Sequence, residues 1–445
     1  MTHNNSSARE LCALPGMFRA GALLLLFVIN FVSLLQGSIE GGEKPAGRVR
    51  DEILIRVTGR SATPDFLEPL ILREIEMAVG LEPGAKYKIE KAPKSVIRDT
   101  LKSGSSMSCR IPLRIFGAGY AEVRKEAVVR INNIVIEDVA KDGVFYASNS
   151  PEEIHEAGAL LGGRLEPFRP VRILVHHKNA SEKDLHFGCV LYNASGEPAQ
   201  VHVIEGPVSV SKDELRTGHF AAVNFFRNLI DGNGKFVTIA PGETYALFRK
   251  DFPSGKVISY LGELTLLSSA SVGFSIRTLY PYHRDVAYLQ MHSPSQLSRP
   301  HGEFPLIVIE TRDRYSIGGR WLHVSVGDRP VDSIDYRNKL HGNYGLLHEI
   351  VVEVSNSTPR AEKLGIYLRP SAGPASASFI IENEFIEVPH AKSSELKLLK
   401  VIPVGSGEER SVRVLTMPEP GSYYPIHLIF GSSSIDSYEK AKDNK

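Results

Sequence analysis

Three histidines, His176, His177 and His186, lie close together in this 445-residue sequence, and an imidazole can carry a proton or bind a metal ion. Neighbouring residues of a strand point to opposite faces, so His176 and His177 cannot bind one ion together. One of them can meet His186 across a hairpin, which makes His177 and His186 weak metal candidates. No Cys, Glu or third His stands at a recognisable metal-binding spacing. The sequence therefore predicts no metal site and no cofactor.

A segment rich in aromatic residues and proline begins at Tyr280 and continues through Tyr282, His283 and Tyr288. Exposed aromatic rings at a junction between domains can stack on a sugar ring or hold a partner peptide. The same rings can instead pack the interface between the two domains. The four residues are the ligand-binding candidates of the sequence, and both interpretations stay open.

The sequence carries no catalytic signature. It has no GxSxG peptide, and its glycine-rich peptides lack the Lys-Ser/Thr that follows a phosphate-binding loop. Carboxylates are plentiful, but a sequence does not set the distance between two of them. We predict no catalytic residue and favour a protein that is not an enzyme. The alternative is an extracytoplasmic hydrolase of glycan or peptide that uses carboxylates and histidines at a domain junction.

Cysteine is sparse, with Cys12, Cys109 and Cys189 as the three examples. Outside the cytosol, Cys109 and Cys189 can form a disulfide. They can equally be buried small apolar residues with free thiols. Two cysteines make neither a disulfide scaffold nor a zinc site.

The charge balance bears on the class of partner. The chain has 52 Lys and Arg against 51 Asp and Glu. Such a chain has no overall positive field to hold a phosphate backbone, so nucleic-acid binding is disfavoured.

An apolar run at residues 20–35 follows Arg19 and predicts an exported protein. As a helix it is about 24 Å long, shorter than the roughly 30 Å hydrocarbon core of a bilayer. A cleaved signal peptide and an uncleaved membrane anchor both remain open. Because Arg9 and Arg19 precede the run, we expect the bulk of the chain outside the cytoplasm. The protein is then membrane-anchored, or secreted or periplasmic if the leader is cleaved.

The remaining chain predicts a mainly β protein with a small mixed α+β domain followed by two β-sandwiches. Turn residues recur every eight to twelve residues after Pro170, which is typical of sandwiches. The predicted units are the leader and linker (1–47), the mixed domain (48–168), a sandwich (169–285), a linker (286–304), a second sandwich (305–432) and a disordered tail (433–445).

Three helices and one hairpin are predicted within these units. Thr63 caps a helix that Gly80 stops, and a capping box at Ser150, Pro151 and Glu153 predicts a short helix ending at Gly158. Apolar residues at 212–229 indicate a third helix. Strands at 111–116 and 128–136 form the hairpin.

The two sandwich regions share a pattern of turns. FGCVLYNASGEPAQVHVIEGP (187–207) matches EIVVEVSNSTPRAEKLGIYLRPSAGP (349–374), and IAPGETYALF (239–248) matches PVGSGEERSVRVL (403–415). In each pair a strand meets an Asn or Gly turn and a second strand follows. The two regions are thus interpreted as tandem sandwiches of related type.

This pattern resembles the immunoglobulin-like and similar β-sandwich modules of bacterial secreted and cell-surface proteins. The resemblance covers roughly residues 170–430, implies the fold alone and transfers no functional residue. It favours a binding or structural module of the cell envelope. The partners that fit are the membrane through an uncleaved leader, and an envelope protein or a glycan.

Overall fold

A computed structural model describes residues 43–136, 142–149, 152–281 and 302–432. These ranges form 31 strands and three α-helices, which confirms the mainly β prediction. The apolar run at 20–35, the tail after residue 432, and residues 282–301, which cover the end of the predicted first sandwich and most of the predicted linker, lie outside the described ranges. Within those ranges, no helix is both long and apolar enough to cross a bilayer.

The first unit is a four-stranded sheet covered by one helix. Thr63 caps this helix by accepting from the Phe66 N–H, and Pro64 occupies its first turn. Its buried face packs on the sheet through Leu67, Ile71 and Ile75. The elements are β1 (Gly47–Val49), β2 (Glu52–Val57), β3 (Ser61–Ala62), α1 (Pro64–Ala78), β4 (Val79–Leu81), β5 (Lys86–Ile89), α2 (Pro93–Val96), β6 (Leu101–Lys102), β7 (Ser106–Phe116) and β8 (Val123–Asn133). The predicted first helix and hairpin are confirmed.

The first sandwich follows, and a long helix lies against it. Asp213 caps this helix and Gly232 ends it in a left-handed conformation, φ 67°. The elements are β9 (Val144–Ser148), β10 (Glu153–Ile154), β11 (Gly158–Leu165), β12 (Pro170–Asn179), β13 (Leu185–Asn193), β14 (Ala199–Glu205), β15 (Ser209–Ser211), α3 (Glu214–Asp231), β16 (Lys235–Ile239), β17 (Thr244–Phe252), β18 (Val257–Leu266), β19 (Val272–Leu279) and β20 (Gly302–Phe304). The helix predicted at 212–229 is confirmed as α3.

The second sandwich completes the described chain. A single core of apolar side chains fills the space between its two sheets. The elements are β21 (Val308–Ser316), β22 (Leu322–Val326), β23 (Val331–Asp332), β24 (Lys339–Leu340), a 3-10 turn (His341–Asn343), β25 (Leu347–Ser355), β26 (Glu362–Pro370), β27 (Ala375–Ile381), β28 (Glu384–Ala391), β29 (Lys397–Val404), β30 (Glu409–Thr416) and β31 (Ile426–Ser432).

The first unit and one layer of the first sandwich share a sheet. Its strand order is β20-β9-β12-β18-β14-β16-β2-β8-β7-β5. The junction rests on one residue pair, Lys235 with Val57. Thr58 reinforces it, because its hydroxyl donates to the Gly232 carbonyl (2.7 Å) and lies 2.8 Å from His202 Nε2.

The two sandwiches have the same topology. In the first, the layers run β9-β12-β18-β14-β16 and β11-β19-β13-β17; in the second, they run β21-β25-β30-β27-β28 and β22-β31-β26-β29. Each begins with a parallel pair, β9 with β12 and β21 with β25. The shared strand order supports the interpretation of two related β-sandwiches, and their identification as immunoglobulin-like domains stays a prediction.

An asparagine marks the same corner in both sandwiches. Asn179 Nδ2 donates to the Phe252 carbonyl (2.8 Å) at the end of β17. Asn356 Nδ2 donates to the Val404 carbonyl (3.0 Å) at the end of β29. Each amide therefore ties the turn after one strand to the end of a strand that lies in the opposite sheet.

The sequence alignment of the two repeats is therefore wrong by one strand. It matched Asn193 with Asn356, whereas the topology matches Asn179 with Asn356. Asn193 makes the same kind of contact, since its Nδ2 donates to the Ile239 carbonyl at 3.0 Å. Three corners share one turn chemistry, so sequence similarity alone could not choose the correct pair.

The short helix predicted to end at Gly158 is also wrong. Glu153 and Ile154 form β10, which pairs in parallel with Lys178 and Asn179 of β12. The Lys178 N–H donates to the Glu152 carbonyl at 2.8 Å, so pairing with β12 supplies the hydrogen bonds that a helix would have made.

Strand pairing also runs across the predicted boundary near residue 168. Strand β9 pairs with β12, β11 pairs with β19, and β20, at the end of the predicted linker, pairs with β9. The division of the chain into domains stays a prediction.

The two sandwiches meet over a buried apolar core. Phe145 and Leu174 of the first sandwich, Phe225 of α3, and Leu346 and Leu415 of the second belong to one cluster. These side chains form one apolar core, so the two sandwiches pack directly against each other.

A buried arginine crosses the same junction. The Arg172 side chain is 2% exposed, and its Nε and Nη2 donate to Glu263 Oε2 at 3.0 and 2.7 Å. Its Nη1 donates to the carbonyls of Ile307 (2.8 Å) and Gly345 (3.2 Å) at the start of the second sandwich. The arginine thus satisfies a buried carboxylate and two backbone carbonyls at once.

Candidate functional site

An open groove of about 500 Å³ lies on the four-stranded sheet of the first sandwich. Three adjacent strands, β19, β13 and β17, supply its floor and walls. The residues that line it are His186, Phe187, Gly188, Arg249, Lys250, Asp251 and Leu279.

The strand register explains this arrangement. His186 lies opposite Leu279 on β19 and opposite Asp251 on β17, so the three residues form one row across the sheet. Two residues further along β13, Gly188 lies between Arg277 and Arg249 in the next row. Glycine has no side chain to fill the space between them, and a hollow results.

The groove is polar and its charged groups are accessible. His186 Nδ1 lies 2.8 Å from Asp251 Oδ1, and the Asp251 side chain is 84% exposed. Arg249 is exposed and lies on the same face of β17, whereas Lys250 lies opposite the buried Phe187 and so faces away from the groove. The set offers hydrogen-bond donors from His186 and Arg249 and one carboxylate acceptor from Asp251. Such a surface can bind polar groups.

Tyr280 of the predicted ligand site follows Leu279 at the end of β19. It is partly buried against the core of the first sandwich, and Lys183 Nζ lies 5.3 Å from the centre of its ring. Tyr282, His283 and Tyr288 lie outside the described residues. The binding role of all four stays a prediction.

His177 and His186 do not lie on a shared hairpin, which the metal hypothesis required. Strand β12 belongs to the long sheet and β13 to the opposite four-stranded sheet. His177 Nε2 lies 2.8 Å from the Ser148 hydroxyl, whereas His186 pairs with Asp251. The chain crosses between layers after Asn179, a step that the alternating pattern of a hairpin does not reveal.

The sequence leaves open whether Cys109 and Cys189 form a disulfide or remain free thiols. Both thiols are free, on strands β7 and β13 of different sheets. Cys109 packs beside the core of the first unit and Cys189 is buried in that of the first sandwich. Burial raises the pKa of both thiols, so they act as small apolar groups rather than as thiolates.

A second cluster joins Glu152, His176 and Glu214, whose candidate ligand atoms all lie within 4.8 Å of one another. Hydrogen bonding to Glu214 and burial raise the pKa of Glu152 to about 7. The nearby imidazole of His176 outweighs burial and lowers the pKa of Glu214 to about 2. The sequence analysis missed both glutamates because β10 and α3 bring them to β12 only in the folded chain.

A third cluster is centred on His219 of α3, whose side chain is 9% exposed. Its Nδ1 lies 2.7 Å from Glu419 Oε2 and its Nε2 lies 3.0 Å from Glu387 Oε1. Glu387 also accepts from Arg227 at 2.6 Å, and Glu419 accepts from the Ser378 hydroxyl at 2.8 Å. Because both ring nitrogens face carboxylate oxygens, the imidazolium form fits this site best.

This cluster predicts a pH-dependent stability. Burial lowers the pKa of His219, but hydrogen bonds and charges from Glu419 and Glu387 outweigh burial and leave that pKa above its usual 6.5. The stabilisation is complete below pH 6.5 and is lost as the pH rises through the folded-state pKa. We expect His219→Gln to cost about 2 kcal/mol at pH 6 and progressively less at alkaline pH, measured by urea unfolding.

The control for this prediction is His155→Gln, because the His155 side chain is 71% exposed and pairs only with an exposed glutamate at 3.8 Å. It should leave the free energy of unfolding unchanged across the pH range. A cost for His219→Gln that stays constant from pH 6 to pH 9 would contradict the charged form.

No protein-family model and no curated protein matches this sequence. Solved structures with a partial likeness include the M60 catalytic domain with two CBM51 domains from Clostridium perfringens ZmpB, at 6% identity and a TM-score of 0.18, over 86% of this chain and 46% of that one. PBSX exported protein XepA has 9% identity and a TM-score of 0.15, over 62% and 85% of the two chains.

A tandem of CBM22 domains from Paenibacillus barcinonensis Xyn10C has 11% identity and a TM-score of 0.14, over 63% of this chain and 81% of that one. All three TM-scores are too low to carry an argument about this protein. The structure itself thus defines the class of the protein, a mainly β chain with two sandwiches of one topology.

Proposed function

We propose that this protein is a non-enzymatic, extracytoplasmic binding or structural module of the cell envelope, either anchored by its leader or secreted. The observation that carries the proposal is the packed core that joins the two sandwiches. Arg172 and the apolar cluster around Phe225 connect the sandwiches through buried contacts, and a pocket of about 360 Å³ remains between α3 and strands β27 and β28. Two sandwiches joined in this way suit a stiff module that presents its surface to a ligand.

The groove on the first sandwich is the proposed ligand site. Arg249 provides a cationic donor, His186 a ring nitrogen, and Asp251 an acceptor for a hydroxyl group. An acidic glycan offers both carboxylates and hydroxyls, and its extended shape suits an open groove. Tyr280 remains a candidate contact because it follows Leu279 of the groove wall.

We expect Arg249→Glu to weaken retention on immobilised alginate about tenfold, since reversing the charge replaces an attraction of roughly 0.7 kcal/mol by a repulsion of similar size. Arg249 is exposed, so the variant should fold normally. Lys363→Glu is the control for the change of charge, because Lys363 is also exposed and lies on β26 of the second sandwich, outside the groove. Retention should be measured by affinity chromatography of the full-length chain, with neutral dextran beads as the blank.

Equal retention of wild type and Arg249→Glu on alginate would contradict the groove as the ligand site. The hydrolase alternative is tested on the same beads by an assay for released reducing ends. Retention without release supports the binding module. Release of cleaved product would replace it with the hydrolase.

A further inference from the structure

His176 is a buried polar side chain that lacks a hydrogen-bond partner. It is 4% exposed, and among the described residues neither ring nitrogen forms a hydrogen bond. Its Nε2 lies 3.8 Å from Glu214 Oε1, which is too long for a hydrogen bond. Leaving an imidazole unpaired in the interior is unfavourable unless a ligand completes its contacts.

The His176 ring is covered by a loop and has two carboxylates beside it. Strand β12 fixes the backbone of His176, and a side chain on Gly421 would come within 3.2 Å of the ring carbon Cε1. The loop carrying Gly421 therefore packs closely over the ring. Glu152, next to β10, and Glu214, in the first turn of α3, complete the surroundings with two carboxylates.

Two acidic side chains beside one unpaired imidazole are the features of a cation site. Both glutamates are exposed and can rotate, whereas His176 is held in place. A tetrahedral zinc ion with bonds of about 2.0 Å separates its ligand atoms by roughly 3.3 Å. Small rotations of the two glutamates shorten the present separations, which are within 4.8 Å, toward that value.

We propose that Glu152, His176 and Glu214 bind a divalent transition-metal ion, with Zn²⁺ as the best match. One imidazole nitrogen and two carboxylate oxygens suit zinc, while calcium and magnesium prefer sites made of oxygen alone. Three protein ligands leave a fourth position for water. The ion joins β12, the start of α3 and the segment before β10, and this role does not depend on glycan binding in the groove.

The test uses the full-length chain freed of metal with EDTA and titrated with ZnCl₂ in a calorimeter. We expect saturable binding of one ion and a rise in Tm of about 3–5 °C at a hundredfold excess over Kd. Glu152→Gln and Glu214→Gln should each weaken that binding at least tenfold, and the double variant should abolish it. Both residues are exposed, so the variants should fold.

Glu182→Gln is the matched control, because Glu182 is exposed on the same sandwich but outside the cluster. It should bind zinc as the wild type does, and MgCl₂ should produce no rise in Tm. The proposal is overturned if the wild type shows no saturable zinc binding. It is equally overturned if the double variant binds as tightly as the wild type, since another group would then hold the ion.

Discussion

Replacing Arg172 by methionine is expected to lower the free energy of unfolding by about 3–5 kcal/mol, the largest effect among the substitutions considered. Methionine fills much of the space, but Glu263 loses its partner while buried, with an 11% exposed side chain. The carbonyls of Ile307 and Gly345 lose a donor at the same time. Urea unfolding of the full-length chain measures the loss, and amide exchange locates it at the junction.

A double variant separates the stability lost with the charge partner from the stability lost with packing. Arg172→Met combined with Glu263→Met removes both charges and should recover much of the lost stability, because a buried apolar pair is often as stable as an ion pair. Arg130→Met is the control, since Arg130 pairs with Glu52 where both side chains are at least half exposed. It should change the stability by less than about 0.5 kcal/mol. A small effect of Arg172→Met alone would mean that the junction does not depend on this arginine.

Gly218→Ala is expected to lower the free energy of unfolding by about 2–3 kcal/mol. Gly218 lies on the face of α3 that meets the second sandwich, and an added Cβ would lie 1.6 Å from the Pro420 carbonyl oxygen. Real Cβ atoms do not approach closer than 3.0 Å, so the helix and the loop must separate by more than an ångström. The clash outweighs the gain of about 1 kcal/mol that alanine brings to a helix interior.

The same separation should reach His219, the next residue of α3, whose carboxylate partner Glu419 lies in the displaced loop. Gly218→Ala should therefore also weaken the pH dependence of stability between pH 6 and pH 9. Gly196→Ala is the control, because no atom lies within 4 Å of the position its Cβ would take. If Gly218→Ala unfolds at the same urea concentration as the wild type, the contact between α3 and the loop is not a tight one.

Local sequence predicted the helices that have clear ends. Thr63 and Pro64 mark the start of α1, and the apolar residues after Asp213 mark α3, because caps and helical periodicity act within a few residues. The hairpin of β7 and β8 was also predictable, since its strands are consecutive and pair directly. The helix predicted from the capping box at residue 150 does not form, because β10 pairs with β12 instead. That partner strand is distant in sequence from the residues of the capping box.

The candidate sites were less predictable than the elements that carry them. His186 was identified from its residue type, but its partner Asp251 follows from the register of β13 against β17. His176 was seen as half of a histidine pair, whereas Glu152 and Glu214 reach it from different elements. The spacing of residues along the chain does not predict these contacts, because they depend on which strands become neighbours in the sheets.

Periodicity and turn chemistry along the chain are enough to predict a mainly β protein with two long helices and two similar sandwich regions. The sheet that each strand joins follows from the folded chain alone. The folded chain places β13 in the sheet opposite β12 and makes Asn179, rather than Asn193, the structural counterpart of Asn356. It also places Cys109 and Cys189 on different sheets. The physical reason is that strand hydrogen bonds and core contacts form between distant residues, and many pairings satisfy the same alternating pattern until packing selects one.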